Sequence, residues 1–315
     1  MTCVCFVILH YHEKSLSETF ACVDSIRKLK TDAGCQTRLI IVENGSADTS
    51  RQALTAKYSG DKDISLVFSD ENLGFARGNN AGCAFAIEQF KPDFLVVINN
   101  DILFTQPDFI QILVDQYQRE RFDILGPNIL NAGRIPQNPF YGVDNLATVE
   151  KLIADFEKRA EQIENASAAG HFWLRCKTWA RSMLYKSVAF RRFWRAYTDN
   201  TRFSAERQAQ DNGHVGEIQR GVMLHGSALV FSAGYYRRYP QIFYPGTFLY
   251  FEEAILHQRV LRDGLSSIYY PLLTVIHNEG MATGAAFNLD RTRFIVKNYL
   301  ASARVFRSIL LHGEQ

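Results

Sequence analysis

The 315-residue sequence contains no apolar run long enough to cross a membrane as a helix. Such a helix needs about 18 or more consecutive apolar residues, and the least charged segment, 221–236, is interrupted by His225, Gly226 and Gly234. The opening apolar run at 4–9 is too short for the core of a signal peptide, and no basic segment precedes it. We therefore expect a cytoplasmic protein that does not cross a membrane.

The cysteines and the charges exclude further classes of protein. The six cysteines lack the spacing of a disulfide framework or of a zinc site, so we interpret them as reduced thiols. The formal net charge is only +2, which gives no global attraction to nucleic acid, and we expect no nucleic-acid partner. Internal repeats and low-complexity segments are also lacking, and the length suits one large α/β domain or two average domains.

What the first 130 residues do contain is an alternation of strand-like and helical patterns. The strand-like runs lie at 4–9, 39–42, 64–68, 94–98 and 124–125. The helical patterns between them span 17–30, 46–58 and 79–90. This alternation, with nearly continuous apolar strands, predicts an α/β fold whose parallel sheet is covered by helices on both faces. Ligands bind at the carboxyl ends of the strands in such sheets.

The character of the sequence changes after residue 140. The segment 171–197 is rich in Trp, Phe, Arg and Lys and has no Asp or Glu. Around it we expect helices at 149–166, 253–263 and 290–311 and strands at 226–231, 267–270 and 272–276. Gly264 is the expected C-cap of the second of these helices.

The stretch IIVENGSADTS, residues 40–50, is a strand followed by a turn and a helix. A carboxylate at the end of the strand, Glu43, suits hydrogen bonds from a nucleobase or a ribose, and the helix N-terminus adds N–H donors. The alternative is an ordinary turn with Ser46 as the helix cap.

The stretch ENLGFARGNNAG, residues 71–82, is a glycine-rich turn that enters a helix. Gly74, Gly78 and Gly82 permit close approach of the backbone, and Arg77 suits a phosphate. The stretch matches neither the Gly-x-Gly-x-x-Gly fingerprint nor a Walker loop. The alternative is a tight loop whose glycines only relieve strain.

The stretch FLVVINND, residues 94–101, ends a buried strand in Asn99, Asn100 and Asp101. A carboxylate beside two amides at the edge of a parallel sheet suits Mg²⁺ or Mn²⁺ that already carries phosphate oxygens. Ordinary turn chemistry is the alternative.

The stretch FLYFEEAILHQRVLRDG, residues 248–264, places Glu252 and Glu253 together at the start of a helix. One carboxylate tuned by the other suits a general base, and the alternative is a simple match to the helix dipole. His277 ends a later apolar strand, where it suits either a metal site with Asp101 or a structural role.

The order and spacing of these stretches resemble the family 2 glycosyltransferases of the GT-A fold, in particular the rhamnosyltransferase-like branch that builds bacterial surface polysaccharides such as O-antigen and capsule. The residues that carry the resemblance are VENGS, NLGFARGNN, INND, FLYFEEAILHQRVLRDG and HNEG. The resemblance implies a Rossmann-like, mostly parallel central sheet flanked by helices. It divides the chain into a nucleotide-sugar-binding half (1–140), a helical basic-aromatic insertion (141–220), an acceptor-binding and catalytic half (221–285) and a C-terminal amphipathic helix (286–315).

The resemblance also implies a role for each matching residue. Glu253 matches the catalytic base, with Glu252 just before it. Asp101 matches the last acid of the metal-binding D-x-D motif, with Asn99 in its first position, and His277 matches a histidine that reaches the metal or the diphosphate. The residues expected to bind the nucleotide-sugar are Tyr11, Glu43, Asn44, Asn72, Gly74, Phe75, Arg77, Asn79, Asn99 and Asn100.

The expected reaction is inverting transfer of a sugar, with rhamnose from dTDP-rhamnose as the first expectation, to a glycan or polyprenyl-linked acceptor with Mg²⁺ or Mn²⁺. Alternatives are a UDP-hexose donor of the galactose type and a non-catalytic nucleotide-sugar-binding scaffold subunit. A sugar nucleotidyltransferase is disfavoured, because its first loop should be glycine-rich and LHYHEKSLSE has no glycine.

The basic-aromatic segment 171–197 suits an interfacial helix on anionic lipid. It would place the protein peripherally on the inner face of the cytoplasmic membrane. The alternatives are a helical subdomain packed over the acceptor site and a contact in a homodimer.

Overall fold

The computed structural model describes residues 2–31, 34–140, 142–165, 216–278 and 289–314, with side chains from residue 292 onward in the last range. The segment 171–197 lies outside the described residues, so its predicted role at a membrane or in a dimer stays a prediction. No helix in the described ranges is long and apolar enough to span a membrane.

The described strands and helices follow one another along the chain in an alternating order. The strands are β1 (Thr2–His10), β2 (Cys35–Asn44), β3 (Ile64–Ser69), β4 (Phe94–Asn99), β5 (Ile102–Leu103), β6 (Ile124–Asn131), β7 (Gln219–Arg220), β8 (Ala228–Ser232) and β9 (Ser267–His277). The helices are α1 (Leu16–Ile26), α2 (Asp48–Tyr58), α3 (Gly74–Phe90), α4 (Phe109–Arg119), α5 (Leu146–Glu164), α6 (Ala233–Arg238), α7 (Glu252–Asp263) and α8 (Leu289–His312).

The described strands form one mixed sheet in the order β3-β2-β1-β4-β8-β6-β9-β5, with β7 paired to β9. Strands β1 to β4 run parallel, as do β6 and β9, whereas β8 runs antiparallel to both of its neighbours. The predicted α/β class with a mostly parallel sheet is therefore confirmed. The antiparallel β8 has a functional consequence, because its first residues lie at the edge where the parallel strands end.

Helices cover both faces of this sheet. Alternate residues of β1 enter different cores: Phe6 and Ile8 pack with α1, α2 and α4, whereas Cys5 and Val7 pack with α3, α6 and α7. This is the two-residue period of a strand buried on both sides. A third apolar cluster joins α5, α7 and α8, so the start of α7 is held by packing.

Helix α3 begins at Gly74, earlier than the predicted residue 79. Its glycines allow the helix to pack closely against the sheet. A Cβ at Gly82 would lie 2.5 Å from Val42 Cγ2 and 2.6 Å from Val7 Cγ1. Glycine costs about 1 kcal/mol in a helix interior relative to alanine. Close packing of the helix on β1 and β2 offsets that cost.

Other boundaries also differ from the predicted ones for identifiable reasons. Ser46 does not cap α2; Ala47 takes that position, and Ser46 Oγ accepts a hydrogen bond from His12 N at 2.9 Å. One strand, β9, replaces the two predicted at 267–270 and 272–276, because its pairing with β6 resumes after a register shift: Pro127 pairs with Tyr270 and Asn128 with Thr274.

A buried chain of polar side chains crosses the end of β1. His10 is 0% exposed, with Nδ1 2.8 Å from Thr19 Oγ1 and Nε2 2.5 Å from Ser50 Oγ. Asn100 Nδ2 donates to the same Thr19 hydroxyl at 3.0 Å. Burial, together with the nearby His12, lowers the pKa of His10 from 6.5 to about 4.

We expect acid to destabilise the protein through His10. Between pH 6.5 and about 4 the unfolded state binds the proton and the folded state does not, so the free energy of unfolding falls as the pH falls. The shift corresponds to roughly 3 kcal/mol. Urea unfolding across this range should show a shallower pH slope for His10→Gln than for the wild type, and an unchanged slope for the exposed control His312→Gln. Equal slopes in all three proteins would contradict the assignment.

Candidate active site

The candidate site lies where the parallel strands end. Asp101 follows β4, and His277 ends β9, which pairs with β5 so that His277 faces Ile102. The Asn278 N–H donates to the Asp101 carbonyl at 2.9 Å. Because β8 runs the other way, Gly226 and Ser227 reach the same edge, where Ser227 O accepts from Asn99 N at 2.9 Å. Long-range strand pairing thus assembles the site.

Two acceptor atoms converge between Asp101 and His277. Asp101 Oδ1 lies 3.3 Å from His277 Nε2, and the two side chains are 18% and 10% exposed. Asp101 Oδ1 is buried and accepts no hydrogen bond from the described residues. His277 Nδ1 lies 2.8 Å from Gln137 Oε1, which directs the Nδ1 proton to that oxygen. The Nε2 lone pair and the carboxylate oxygen then face each other. A cation bound between them would remove the repulsion between these two acceptor atoms.

Asp101 and His277 suit a divalent metal whose coordination is completed by phosphate oxygens of the substrate. Mg²⁺ binds one or two carboxylates together with phosphate oxygens and waters, and Mn²⁺ accepts the same ligands and imidazole. No group of three or more His, Cys, Asp or Glu able to hold a metal occurs in the part of the chain that the structure describes. Phosphate oxygens and waters are the further ligands that such a metal usually takes.

Two adjacent carboxylates, Glu252 and Glu253, open α7. The two residues before them, Tyr250 and Phe251, have left-handed φ angles of 76° and 70°, which is costly for non-glycine residues and recurs at functional sites. The Gly226 N–H donates to Glu253 Oε1 at 3.2 Å, and a Cβ at Gly226 would lie 2.7 Å from that oxygen. A side chain at position 226 would therefore push the Glu253 carboxylate out of this position.

The two carboxyl groups share a crowded recess. Burial and the neighbouring Glu253 raise the pKa of Glu252 to about 8, and Thr247 Oγ1 donates to Glu252 Oε1 at 3.0 Å. Burial also raises the pKa of Glu253. Two like charges this close do not ionise together readily, so the pair holds a proton at neutral pH.

We expect Glu252→Gln to stabilise the protein at alkaline pH. The pKa of Glu252 is 4.5 when unperturbed and about 8 in the fold, so the folded state binds more protons between these values and wild-type stability falls as the pH rises through them. The decline is roughly 5 kcal/mol. Denaturant unfolding from about pH 5 to pH 9 should show this decline in full in the wild type and in the exposed control Glu88→Gln, and a smaller decline in Glu252→Gln, where only Glu253 of the pair still titrates with a raised pKa. The same decline in Glu252→Gln would refute the burial argument.

The glycine-rich stretch joins the two halves of the site. Asn72 Oδ1 accepts from Gly74 N at 2.9 Å and from Asn44 Nδ2 at 3.2 Å. The Phe75 N–H donates to Phe248 O at 2.8 Å, and a Cβ at Gly74, whose φ is +74°, would lie 2.2 Å from the same carbonyl. The stretch therefore docks on the loop that leads into α7.

Three expected nucleotide-binding residues have internal partners in the structure. Glu43 is 0% exposed, and its Oε1 accepts from Ser46 N at 2.7 Å. The buried Asn79 donates through Nδ2 to Phe75 O at 3.0 Å. Asn100 donates to Thr19 of α1. These contacts organise the loops beneath the site.

The remaining expected residues lie nearer the solvent. Arg77 is exposed on the first turn of α3, and Tyr11 is 48% exposed after β1. Asn99 is half-buried, and its N–H donates a hydrogen bond to Ser227 O. Arg77 and Tyr11 are thus accessible to a donor.

The sequence analysis missed one histidine of the site, His225. The His225 ring lies edge-on to His277, with ring centroids 5.9 Å apart, and to Phe140 at 5.3 Å. Asn138 Oδ1 accepts from His225 N at 2.7 Å. The only sequence feature that marks His225 is its position directly before the Gly226–Ser227 turn, which leads into a strand. The direction of that strand is set by pairing across the sheet, so the local sequence does not show which edge His225 reaches.

Comparisons with known proteins identify the family of the chain. The profile of Glycosyl transferase family 2 matches residues 5–184, more than half of the chain. The low-salt glycan biosynthesis hexosyltransferase Agl10 of Haloferax volcanii is 27% identical over 115 residues, which cover 36% of this chain and 36% of that relative. The chain therefore aligns with about a third of the relative's length.

Solved structures support the same fold. The mannosyltransferase PcManGT from Pyrobaculum calidifontis, solved with GDP-Man and Mn²⁺, covers 98% of this chain and 73% of its own with a TM-score of 0.50 and 11% identity. TarS of S. aureus matches 46% of this chain and 39% of its own at 15% identity, with a TM-score of 0.34 that carries no weight. The predicted GT-A fold is confirmed, and the chain belongs to glycosyl transferase family 2.

Proposed function

We propose that this chain transfers a sugar from a nucleoside-diphosphate donor to a hydroxyl of a glycan or polyprenyl-linked acceptor, with inversion at the anomeric carbon. The observation that carries the proposal is the placement of both groups at one edge of the sheet: the Gly226 N–H donates to Glu253, the next residue Ser227 accepts from Asn99 N beside Asp101, and Asp101 Oδ1 lies 3.3 Å from His277 Nε2. A base on one side of the sugar and a diphosphate site on the other are what a single in-line displacement requires.

Glu253 is the proposed general base. Its carboxylate takes the proton of the acceptor hydroxyl while that oxygen attacks the anomeric carbon. The Gly226 N–H stabilises the charged form of Glu253 and holds it in place. Glu252 keeps the shared proton, because it is buried beside Glu253 with its pKa raised to about 8. A raised pKa brings the base closer to the working pH, where general-base catalysis is most effective.

Asp101 and His277 are the proposed holders of Mg²⁺ or Mn²⁺. When bound there, the metal supplies positive charge that neutralises the departing nucleoside diphosphate. The protein keeps Asp101 in place through the Asn278 N–H and His277 through Gln137. The Mn²⁺ in the complex of PcManGT supports this choice of metal.

The donor side is formed by the ends of β1 to β4 and the start of α3. Asn44, Asn72, Gly74 and Phe75 shape the loop that receives the diphosphate, and the exposed Tyr11 and Arg77 contact the nucleotide. Glu43, Asn79, Asn99 and Asn100 support the donor site. The internal hydrogen bonds of Glu43, Asn79 and Asn100 favour an indirect role for these three.

The proposed donor is dTDP-rhamnose, on the resemblance of the motifs to the rhamnosyltransferase-like branch. UDP-galactose or another UDP-hexose is the second candidate, since the matched relative is described as a hexosyltransferase. Thermal-shift screening of nucleotide-sugars with Mn²⁺ identifies the ligand, and release of sugar without an acceptor then tests for catalysis. A scaffold subunit would bind the nucleotide-sugar and release no sugar at any metal concentration.

A polyprenyl-linked acceptor would give the basic-aromatic segment 171–197 a purpose at the inner face of the membrane. The proposed docking rests on that segment, since two arginines of α8 already have acidic partners: Arg304 Nη2 lies 2.8 Å from Glu157 Oε1 and Arg307 Nε lies 3.0 Å from Glu150 Oε1. Flotation with anionic and with neutral liposomes tests the proposal. Binding to neither would leave the helical subdomain over the acceptor site and the homodimer contact, and sedimentation would distinguish these two.

A further inference from the structure

The loop that follows β6 holds both histidines of the candidate site. The Gln137 N–H donates to Ile129 O at 2.8 Å, which ties the loop back to β6. Asn138 is 2% exposed and donates through Nδ2 to Pro127 O at 2.8 Å, while its Oδ1 accepts from His225 N. Hydrogen bonds of Gln137 and of the next residue, Asn138, thus fix the loop that places Gln137 against His277.

The contact between Gln137 and His277 determines where the imidazole proton lies. Gln137 Oε1 is 2.8 Å from His277 Nδ1. An amide oxygen only accepts hydrogen bonds, so Nδ1 is the donor and the neutral ring keeps its lone pair on Nε2. Nε2 is the atom that faces the buried Asp101 Oδ1 at 3.3 Å.

We propose that Gln137 is a positioning residue, which holds His277 in the tautomer with Nδ1 protonated so that Nε2 can bind a divalent cation together with Asp101. The inference rests on the proposed function and adds to it a residue outside the family motifs. Partners that hydrogen-bond the second nitrogen of a metal-binding histidine orient the ring, and their loss weakens metal affinity about 10–100-fold.

The neighbouring histidine shows that the tautomer is set locally. His225 Nδ1 accepts from Ser227 N at 3.1 Å, so its neutral ring carries the proton on Nε2. The two rings are 5.9 Å apart and have opposite tautomers. Without Gln137, the Nε2 of His277 would be free to carry the proton and donate it to Asp101, and both metal-binding atoms would then be engaged with each other.

Binding of Mn²⁺ in the presence of UDP or dTDP tests the inference without any assay of activity. We expect Gln137→Met to raise the Kd for Mn²⁺ by about 10–100-fold and Gln137→Glu to retain wild-type affinity, because a carboxylate also accepts from Nδ1. The control Gln111→Met, at an exposed glutamine of α4, should leave the Kd unchanged. Wild-type affinity in Gln137→Met would overturn the inference and leave the metal site intact. Equal Mn²⁺ binding in the wild type and Asp101→Asn would overturn the metal site of the proposed function as well.

The tautomer can also be read directly in the wild-type protein, which removes any dependence on the folding of the variants. In protein labelled with ¹⁵N-histidine, the side-chain nitrogen shifts report which ring nitrogen carries the proton. His277 is assigned by its loss in His277→Gln. We expect the Nδ1–H form for His277 and the Nε2–H form for His225 without metal. An Nε2–H tautomer at His277 would overturn the inference.

Discussion

Glu253→Gln is expected to lower the rate of sugar transfer by about 10²–10⁴-fold, the usual contribution of a general base. The substitution preserves the shape of the side chain and an oxygen that accepts from the Gly226 N–H. It removes the basic electron pair that takes the acceptor proton. Donor binding should stay at the wild-type level, because the Asp101–His277 pair and the loop at Gly74 are untouched.

The measurement pairs the kcat for transfer with the Kd of the nucleotide-sugar, obtained by calorimetry on the same preparations. Glu88→Gln, at an exposed glutamate of α3, serves as the control and should match the wild type in both quantities. If the donor Kd rises in step with the loss of transfer, Glu253 belongs to the donor site. If transfer persists, another group is the base.

Asp101→Asn is the second change with a large expected effect. It replaces the carboxylate of the proposed metal-binding pair with an amide and leaves His277 Nε2 as the stronger ligand of the two. Since a bound metal contributes several kcal/mol to charge stabilisation in the transition state, the rate of metal-dependent transfer should fall by about 100-fold or more. The affinity for Mn²⁺ should weaken as well.

The rate of donor cleavage as a function of Mn²⁺ concentration tests this second prediction. The exposed Asp108, beside the start of α4, provides the matched control Asp108→Asn. An unchanged dependence on Mn²⁺ in Asp101→Asn would place the metal elsewhere, or show that the reaction proceeds without one.

The local sequence predicted the parallel half of the fold well. The apolar runs at 4–9, 39–42 and 94–98 lie in β1, β2 and β4, because a strand buried on both faces is apolar at almost every position. Gly264 is the C-cap of α7, as predicted, with φ +61° and its N–H donating to Val260 O. These features depend on nearest neighbours in the sequence.

The direction of β8 was not predictable in the same way. Its apolar sequence shows that it is buried, but its pairing with β4 and β6 joins residues more than a hundred positions apart. That pairing brings Gly226 to Glu253 and Ser227 to Asn99. The motif order nominated Glu253, Asp101 and His277, whereas the contacts that hold them required the three-dimensional structure.

Gln137 and Glu43 illustrate the two ways in which sequence reasoning about the site is incomplete. Gln137 lies in the stretch LNAGRIPQNPF, residues 130–140, which has the composition of an ordinary loop, and only its distance to His277 distinguishes it. Glu43 occupies a motif position, yet its side chain folds back to accept from Ser46 N and is fully buried. Position in a motif predicts proximity to a site; accessibility depends on the turns around it.

We propose above all that Asp101 and His277 together bind the metal of the donor diphosphate, at the sheet edge that Glu253 also reaches through Gly226. The most direct test is an anomalous-scattering map from a crystal soaked with Mn²⁺ and a nucleoside diphosphate. The account predicts one manganese peak within about 2.5 Å of both Asp101 Oδ1 and His277 Nε2, with phosphate oxygens completing its ligands. A manganese–diphosphate peak that contacts neither residue would contradict it.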